Sequence, residues 1–211
     1  MITVIGNLKG GTGKSTVAFN LAVWLKLHHG GVTLFDLDPQ KTLSDVVDIR
    51  EEEGYEPDLE VFDDVSALKA WKNKKTEVIV DVGTSDFESM KKALKLADRI
   101  ITPVPPSQAD IWSTQRFIKI IRENAGGTEK MPPILGFINR ADTHRGVRET
   151  DEAEEALEFL KSISRINIRL YQRTAYRRSF SEGLAVFEMQ PTSKASKEIL
   201  SLAKLLYPTG K

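Results

Sequence analysis

Ten residues near the amino terminus, Asn7-Leu8-Lys9-Gly10-Gly11-Thr12-Gly13-Lys14-Ser15-Thr16, narrow the choice of fold more than any other stretch. They follow the apolar run Ile2 to Ile5 and precede Val17, Leu21 and Leu25 at helical spacing. A strand, a glycine-rich loop and a helix therefore come in that order. Glycines let successive backbone N–H groups turn inward around phosphate oxygens, and the start of the helix adds its positive end. Gly10, Gly11, Thr12 and Gly13 would form the cradle, with Thr16 at its far side. Lys14 would reach the β and γ phosphates, and Ser15 would offer its hydroxyl to Mg²⁺. The usual form of this loop has a glycine five positions before Gly13. Here that position is Leu8, and a second lysine, Lys9, stands at the loop's start.

The rest of the chain alternates as such a loop requires. Nearly all-apolar runs at Ile2 to Ile5, Val32 to Asp36, Val78 to Val82, Arg99 to Val104 and Ile134 to Ile138 predict parallel strands covered on both faces. A weaker one lies at Ile166 to Leu170. Helical patterns separate them at Lys14 to Leu27, Thr42 to Glu53, Val65 to Trp71, Phe87 to Leu96, Ala109 to Asn124, Val147 to Ser162 and Ser193 to Leu206. Right-handed crossovers then give an α/β fold, a doubly wound, mostly parallel sheet with helices on both faces and its ligand beyond the carboxyl ends of the strands. The 211 residues, 40% of them apolar, suffice for a single domain over residues 1–211.

Composition removes several function classes. There is no cysteine, which excludes disulfides, thiolate metal sites, cysteine nucleophiles and iron–sulfur clusters. Lys plus Arg number 30 and Asp plus Glu number 30, so any affinity for a polyanion has to be local. The amino terminus lacks a signal-peptide apolar core, and no apolar run approaches about eighteen residues. A cytoplasmic protein is expected.

Carboxylates gather where the strands end. Leu34-Phe35-Asp36-Leu37-Asp38-Pro39-Gln40 puts two aspartates at alternate positions of one strand end, pointing to the same side. Asp81 closes Glu77-Val78-Ile79-Val80-Asp81, the pattern of a strand whose terminal acid binds Mg²⁺ directly or through water. A solvated aspartate at a strand end gives the same pattern.

Lys-Gly-Gly-Thr-Gly-Lys-Ser-Thr resembles the deviant Walker A signature of the ParA/MinD superfamily of P-loop ATPases. Asp38-Pro39-Gln40 resembles the ParA-type branch more than MinD, as do Pro103-Val104-Pro105-Pro106-Ser107, Arg173-Thr174-Ala175-Tyr176-Arg177, Gly183, and Val186-Phe187-Glu188 before Pro191. The short ParF- or McdA-like members are the nearest in form. The resemblance implies an ATP hydrolase in which Lys9 of one subunit contacts ATP held by the other, so that ATP joins a homodimer. It gives catalytic roles to Lys9 and Lys14, and to Asp38 as holder of the attacking water. Mg²⁺ would be held by Ser15, Asp36 and Asp81, and adenine beside Asn139 and Arg140. Relatives commonly have a proline-rich turn after the Asp81 position, whereas this chain has Val82-Gly83-Thr84-Ser85.

The balanced total hides an asymmetry. Residues 161–211 hold ten Lys or Arg against three Glu. Arg169, Arg173, Arg177, Arg178, Lys194 and Lys197 would form a cationic face around Tyr171 and Tyr176, able to bind phosphate backbones without reading bases. An ordinary solvated helix surface is the plainer reading. In ParA-like relatives this region binds non-specific DNA once ATP has formed the dimer. The resemblance thus implies a nucleoid-associated ATPase that positions a plasmid, a chromosome or an organelle such as the carboxysome. Hydrolysis would be stimulated by a ParB-like or McdB-like adaptor. The alternative is a MinD-like membrane ATPase, whose membrane tail would be the apolar spacing of Ile199 to Leu206; that spacing also suits a helix packed on the sheet. A P-loop metabolic enzyme is a third, disfavoured by Asp-Pro-Gln and the basic carboxyl-terminal region. His28-His29 reads as a polar helix end, not a metal site.

Overall fold

The computed structural model describes residues 1–144 and 146–208. Lys211, counted in the basic carboxyl-terminal segment, lies outside them. Seven strands form one sheet: β1 (Ile2–Ile5), β2 (Val32–Asp36), β3 (Val61–Phe62), β4 (Glu77–Asp81), β5 (Arg99–Val104), β6 (Ile134–Ala141) and β7 (Ser164–Tyr171). Their spatial order is β3-β2-β4-β1-β5-β6-β7, and every neighbouring pair is parallel. The expected doubly wound sheet is therefore present, wholly rather than mostly parallel.

Successive side chains of a strand face opposite sides, and the apolar runs put a large residue on each. Ile5, Leu34, Ile79 and Ile101 pack beneath α1 (Lys14–His29), α2 (Thr42–Glu52) and α8 (Lys194–Leu206). Their neighbours Val4, Phe35, Val80 and Ile100 pack on the other face against α3 (Phe87–Leu96) and α4 (Gln108–Ala125). The central helix α1 is buried continuously from Val17 to Leu25 and stops at Gly30, whose φ of 73° gives the left-handed turn that ends a helix.

Several elements differ from the sequence expectation. Val82 falls outside β4, β6 continues to Ala141, and β7 begins at Ser164. The expected helix at Val65 to Trp71 is a 3-10 turn over Ala67–Trp71 that buries only Leu68, too little apolar surface to hold a longer helix. The expected helix at Val147 to Ser162 is α5 (Glu149–Phe159); the chain extends at Leu160 and turns left-handed at Ser162. Strand β3 and the short helices α6 (Thr174–Ser181) and α7 (Val186–Met189) carry no clear periodicity in the sequence. The apolar stripe of α8 is occupied: Ala195, Ile199, Leu202, Ala203 and Leu206 are buried in the core. Among the described residues no helix is long and apolar enough to cross a membrane.

Candidate nucleotide site

Parallel pairing lines up the strand ends. Asp81 is in register with Ile5 of β1 on one side and with Asp36 of β2 on the other, so both carboxylates reach the edge where the glycine loop leaves β1. Gly11 and Gly13 take φ values of 72° and 90°, a region open to glycine at little cost. The loop is held from two directions. Asn139 of β6 donates its amide to the Thr12 carbonyl at 2.6 Å, and a Cβ on Gly13 would strike that amide. Asn7 donates to the Pro103 carbonyl at 3.1 Å and accepts the Lys9 backbone N–H at 3.3 Å. Lys14 opens α1 and is buried.

Three aspartates at this edge have three different surroundings. Asp36 is saturated: one oxygen accepts the Ser44 N–H (2.8 Å) and hydroxyl (2.9 Å), the other the Asp38 N–H (3.2 Å). It ties the end of β2 to the first turn of α2. Asp81 is fully buried, and neither oxygen has a hydrogen-bond partner. Burial pushes its pKa up to about 7, against the pull of the Ser15 hydroxyl and the Lys14 ammonium, with the charges of Asp36 and Asp38 adding to the rise. Two unfilled acceptor atoms beside a hydroxyl suit a divalent cation bound mostly by phosphate and water, the usual mode for Mg²⁺. Asp81 and Ser15 are therefore the residues that could hold it. Among the described residues there is no cluster of three or more metal-ligating side chains.

Asp38 lies just past the strand end and accepts the Gln40 N–H at 3.0 Å. The loop after β4 runs hard against it: a Cβ on Gly83 would sit 2.6 Å from Asp38 Cγ and 2.8 Å from its Cα. Glycine at 83, in place of a proline-rich turn, is what lets the two loops touch.

Lys9 does not point into the loop. Its ammonium lies 3.0 Å from the carboxylate of Asp110 in α4; the Lys9 side chain is 46% exposed and that of Asp110 4%. The Ser107 hydroxyl also donates to Asp110. Sequence reasoning missed Asp110, Asn7 and Gly83; only Gly83 left a trace, as a departure from the usual turn.

The six basic residues of the carboxyl-terminal third do not share one environment. Arg169 pairs with Asp151 at 2.8 Å and with Glu154, and these carboxylates raise its pKa. Arg173 pairs with Glu198 at 2.6 Å. Arg173 and Arg177 line a narrow cleft with Asn139, Arg140 and Tyr176, beside Gly13. Arg177, Arg178, Lys194 and Lys197 are exposed, Arg178 with Glu182 at 3.1 Å. Tyr176 donates to the Ala195 carbonyl at 2.9 Å. His28 lies 2.8 Å from the Trp24 carbonyl and stacks on the Trp24 ring.

Residues 3–197 match the model of the CobQ/CobB/MinD/ParA nucleotide binding domain. The chain is 28% identical over 211 residues to the maintenance of carboxysome distribution protein A of Halothiobacillus neapolitanus, covering 97% of this chain and 95% of that one. Among solved structures it is similar to apo McdA of Cyanothece (TM-score 0.75, 17% identity, covering 95% of this chain and 98% of that one). It is equally similar to MinD of Pyrococcus horikoshii complexed with Mg-ADP (TM-score 0.75, 18% identity, covering 98% and 96%). At those identities the two structures speak for the fold alone.

Proposed function

The chain belongs to the CobQ/CobB/MinD/ParA nucleotide-binding family, and from that premise we propose that it is a Mg²⁺-dependent ATP hydrolase that dimerises on ATP, binds non-specific DNA and positions a cargo. Similarity across almost the whole chain to a carboxysome distribution protein favours a protein organelle over a plasmid or chromosome as that cargo. An adaptor of ParB or McdB type, bound to the cargo, would stimulate hydrolysis, with the enzyme in the cytoplasm on the nucleoid.

The backbone N–H groups of Gly10 to Ser15, with Lys14, hold the β and γ phosphates. Ser15 and Asp81 hold Mg²⁺, which when bound neutralises phosphate charge. Asp38 holds the attacking water, and Asn139 steadies the loop from beside the adenine cleft that Arg140 borders. Lys9 leaves Asp110 to meet the triphosphate bound by a second copy, adding positive charge where the transition state becomes more negative. Because ATP binds across the two copies, it stabilises the dimer, and paired basic faces bind DNA more tightly than one. Arg177, Arg178, Lys194 and Lys197 are the exposed part of that face, with Arg169 and Arg173 behind them in ion pairs.

The observation that carries this reading is Lys9: a loop lysine that turns from its own phosphate cradle and stays half-exposed at the rim. Lys9→Gln should abolish ATP-dependent dimers in sedimentation velocity and DNA shifts in gels. Dimers and shifts that persist in the variant would refute it. The MinD-like alternative is not better supported: of the α8 stripe it would use, Ile199, Leu202 and Leu206 are packed in the core and only Leu205 is exposed.

A further inference from the structure

Two residues beyond Asp110, on the outer side of α4, Trp112 is 54% exposed, and Phe159 at the end of α5 is 86% exposed. Both border a groove of about 590 Å³ between α4 and the segment joining α5 to β7, with Ile118 and Leu160 among its walls. Its remaining edges carry four cations, Arg116, Lys119, Arg122 and Lys161, beside the neutral Gln115 and Ser162, and among the described residues no acidic one lines it. Trp112, Arg116 and Lys119 recur at helical spacing along one stripe of α4. Among the described residues the only ion pair these cations make is Lys119 with Glu123, at 3.8 Å and exposed on both sides.

Large rings left in water beside unpaired guanidinium groups are the composition of a binding surface, where Trp and Arg supply most of the affinity. The concavity and the charge identify what covers it. A duplex would satisfy the cations but leave both rings wet. A bilayer takes up rings that protrude, and these border a hollow. A second copy docked through the same patch would bring cations against cations. An acidic segment with apolar side chains on one face satisfies both features.

We propose that the α4–α5 groove receives an acidic, amphipathic peptide segment of a partner protein, its apolar side chains covering Trp112 and Phe159 and its carboxylates meeting Arg116, Arg122 and Lys161. This docking does not depend on ATP hydrolysis or DNA binding, so it stands or falls apart from the proposed function.

The test is a displayed library of random peptides of about fifteen residues, selected on the whole chain. The enriched peptides should be net acidic, with aromatic or aliphatic residues three or four positions apart. One such peptide, labelled and titrated by fluorescence anisotropy, should bind the Trp112→Ala/Phe159→Ala variant at least roughly thirty-fold more weakly. Arg116→Glu/Arg122→Glu should weaken it comparably, and raised salt should weaken the wild-type complex. Both variants change exposed side chains, and melting temperatures matching wild type would establish that they fold. The proposal is overturned if the selected peptides lack acidic bias or bind both variants like wild type. It is equally overturned if the four substitutions instead remove binding to anionic vesicles or to a 24-base-pair duplex, or remove self-association.

Discussion

Lys9 and Asp110 are 101 residues apart in sequence, yet the ammonium of one lies 3.0 Å from the carboxylate of the other. For Lys9 to reach a second copy's nucleotide it must leave a carboxylate that is itself almost wholly buried. In the proposed dimer the pair would therefore oppose association by about the worth of a charge-assisted hydrogen bond, ~1–2 kcal/mol at this half-exposed position. Asp110→Asn keeps the shape and the bond to Ser107. It should shift ATP-dependent dimerisation to roughly tenfold lower ATP, as followed by sedimentation velocity across an ATP titration. An unchanged midpoint would mean that the ion pair does not restrain Lys9.

Asp81 should make the nucleotide-free protein less stable as pH rises. Its pKa goes from 3.8 to about 7 on folding, so between those values the native state keeps a proton that the unfolded chain has lost. Stability then falls with rising pH through that window, and the full penalty, of order a few kcal/mol, is present above about pH 7. Asp81→Asn should raise the melting temperature by several degrees at pH 8 and leave it unchanged near pH 4. The proposed Mg²⁺ role of Asp81 further predicts that Mg²⁺ added with ADP raises the melting temperature of the wild type and not that of the variant. A melting temperature equal to wild type at pH 8 counts against a charged, unpaired Asp81.

Gly83→Ala places a methyl group 2.8 Å from the Asp38 Cα, a backbone contact that a side-chain rotation cannot relieve. The loop bearing Asp38 has to move. Hydrolysis should drop by about a hundredfold, since small displacements of a positioning group cost that much. Nucleotide affinity, set by the glycine loop, should change little. Titration of a fluorescent ATP analogue alongside turnover measurements separates the two, and parallel losses of both would contradict the assignment.

Arg50 joins α2 to α7. Its guanidinium, 1% exposed, forks onto Glu188 at 2.8 and 2.9 Å and also donates to the carbonyls of Gly183, Pro57 and Glu56. Arg50→Met would strand the Glu188 carboxylate and three carbonyls, a loss of about 3–5 kcal/mol. Urea denaturation should show the midpoint falling accordingly. A loss below about 1 kcal/mol would mean that water replaces the guanidinium freely.

Removing the exposed cations Lys194 and Lys197 together as alanines should weaken DNA binding and lower its salt slope by about two, one for each phosphate left unneutralised. Gel shifts over a salt series measure this. An unaltered slope would remove α8 from the interface.

Arg50 also explains why parts of the sequence were informative before their purpose was visible. Gly183 and Val186-Phe187-Glu188 are among the residues that resemble the ParA-type pattern. In the structure Gly183 has a φ of 69° with the Arg50 backbone where a Cβ would go, and Glu188 is the guanidinium's partner. The buried strands were legible because each apolar residue faces a covered side. Strand β3 was not, being two half-buried residues, and neither were α6 and α7, too short to show a helical period. The glycine loop could be read from local chemistry because its parts are consecutive. The partner of Lys9 could not, since nothing local marks Asp110 as different from any acid near the start of a helix. The basic carboxyl-terminal count was correct as arithmetic, but it could not show that Arg169 and Arg173 are already matched by Glu154 and Glu198.

The amide of Asn139, seated on the Thr12 carbonyl, fastens the glycine loop to a strand two places across the sheet. Its shape is consequently settled during folding, before any triphosphate arrives. Capture of nucleotide then carries little ordering entropy at the cradle itself, and the half-exposed Lys9 at the rim is left as the part of the loop still free to rearrange.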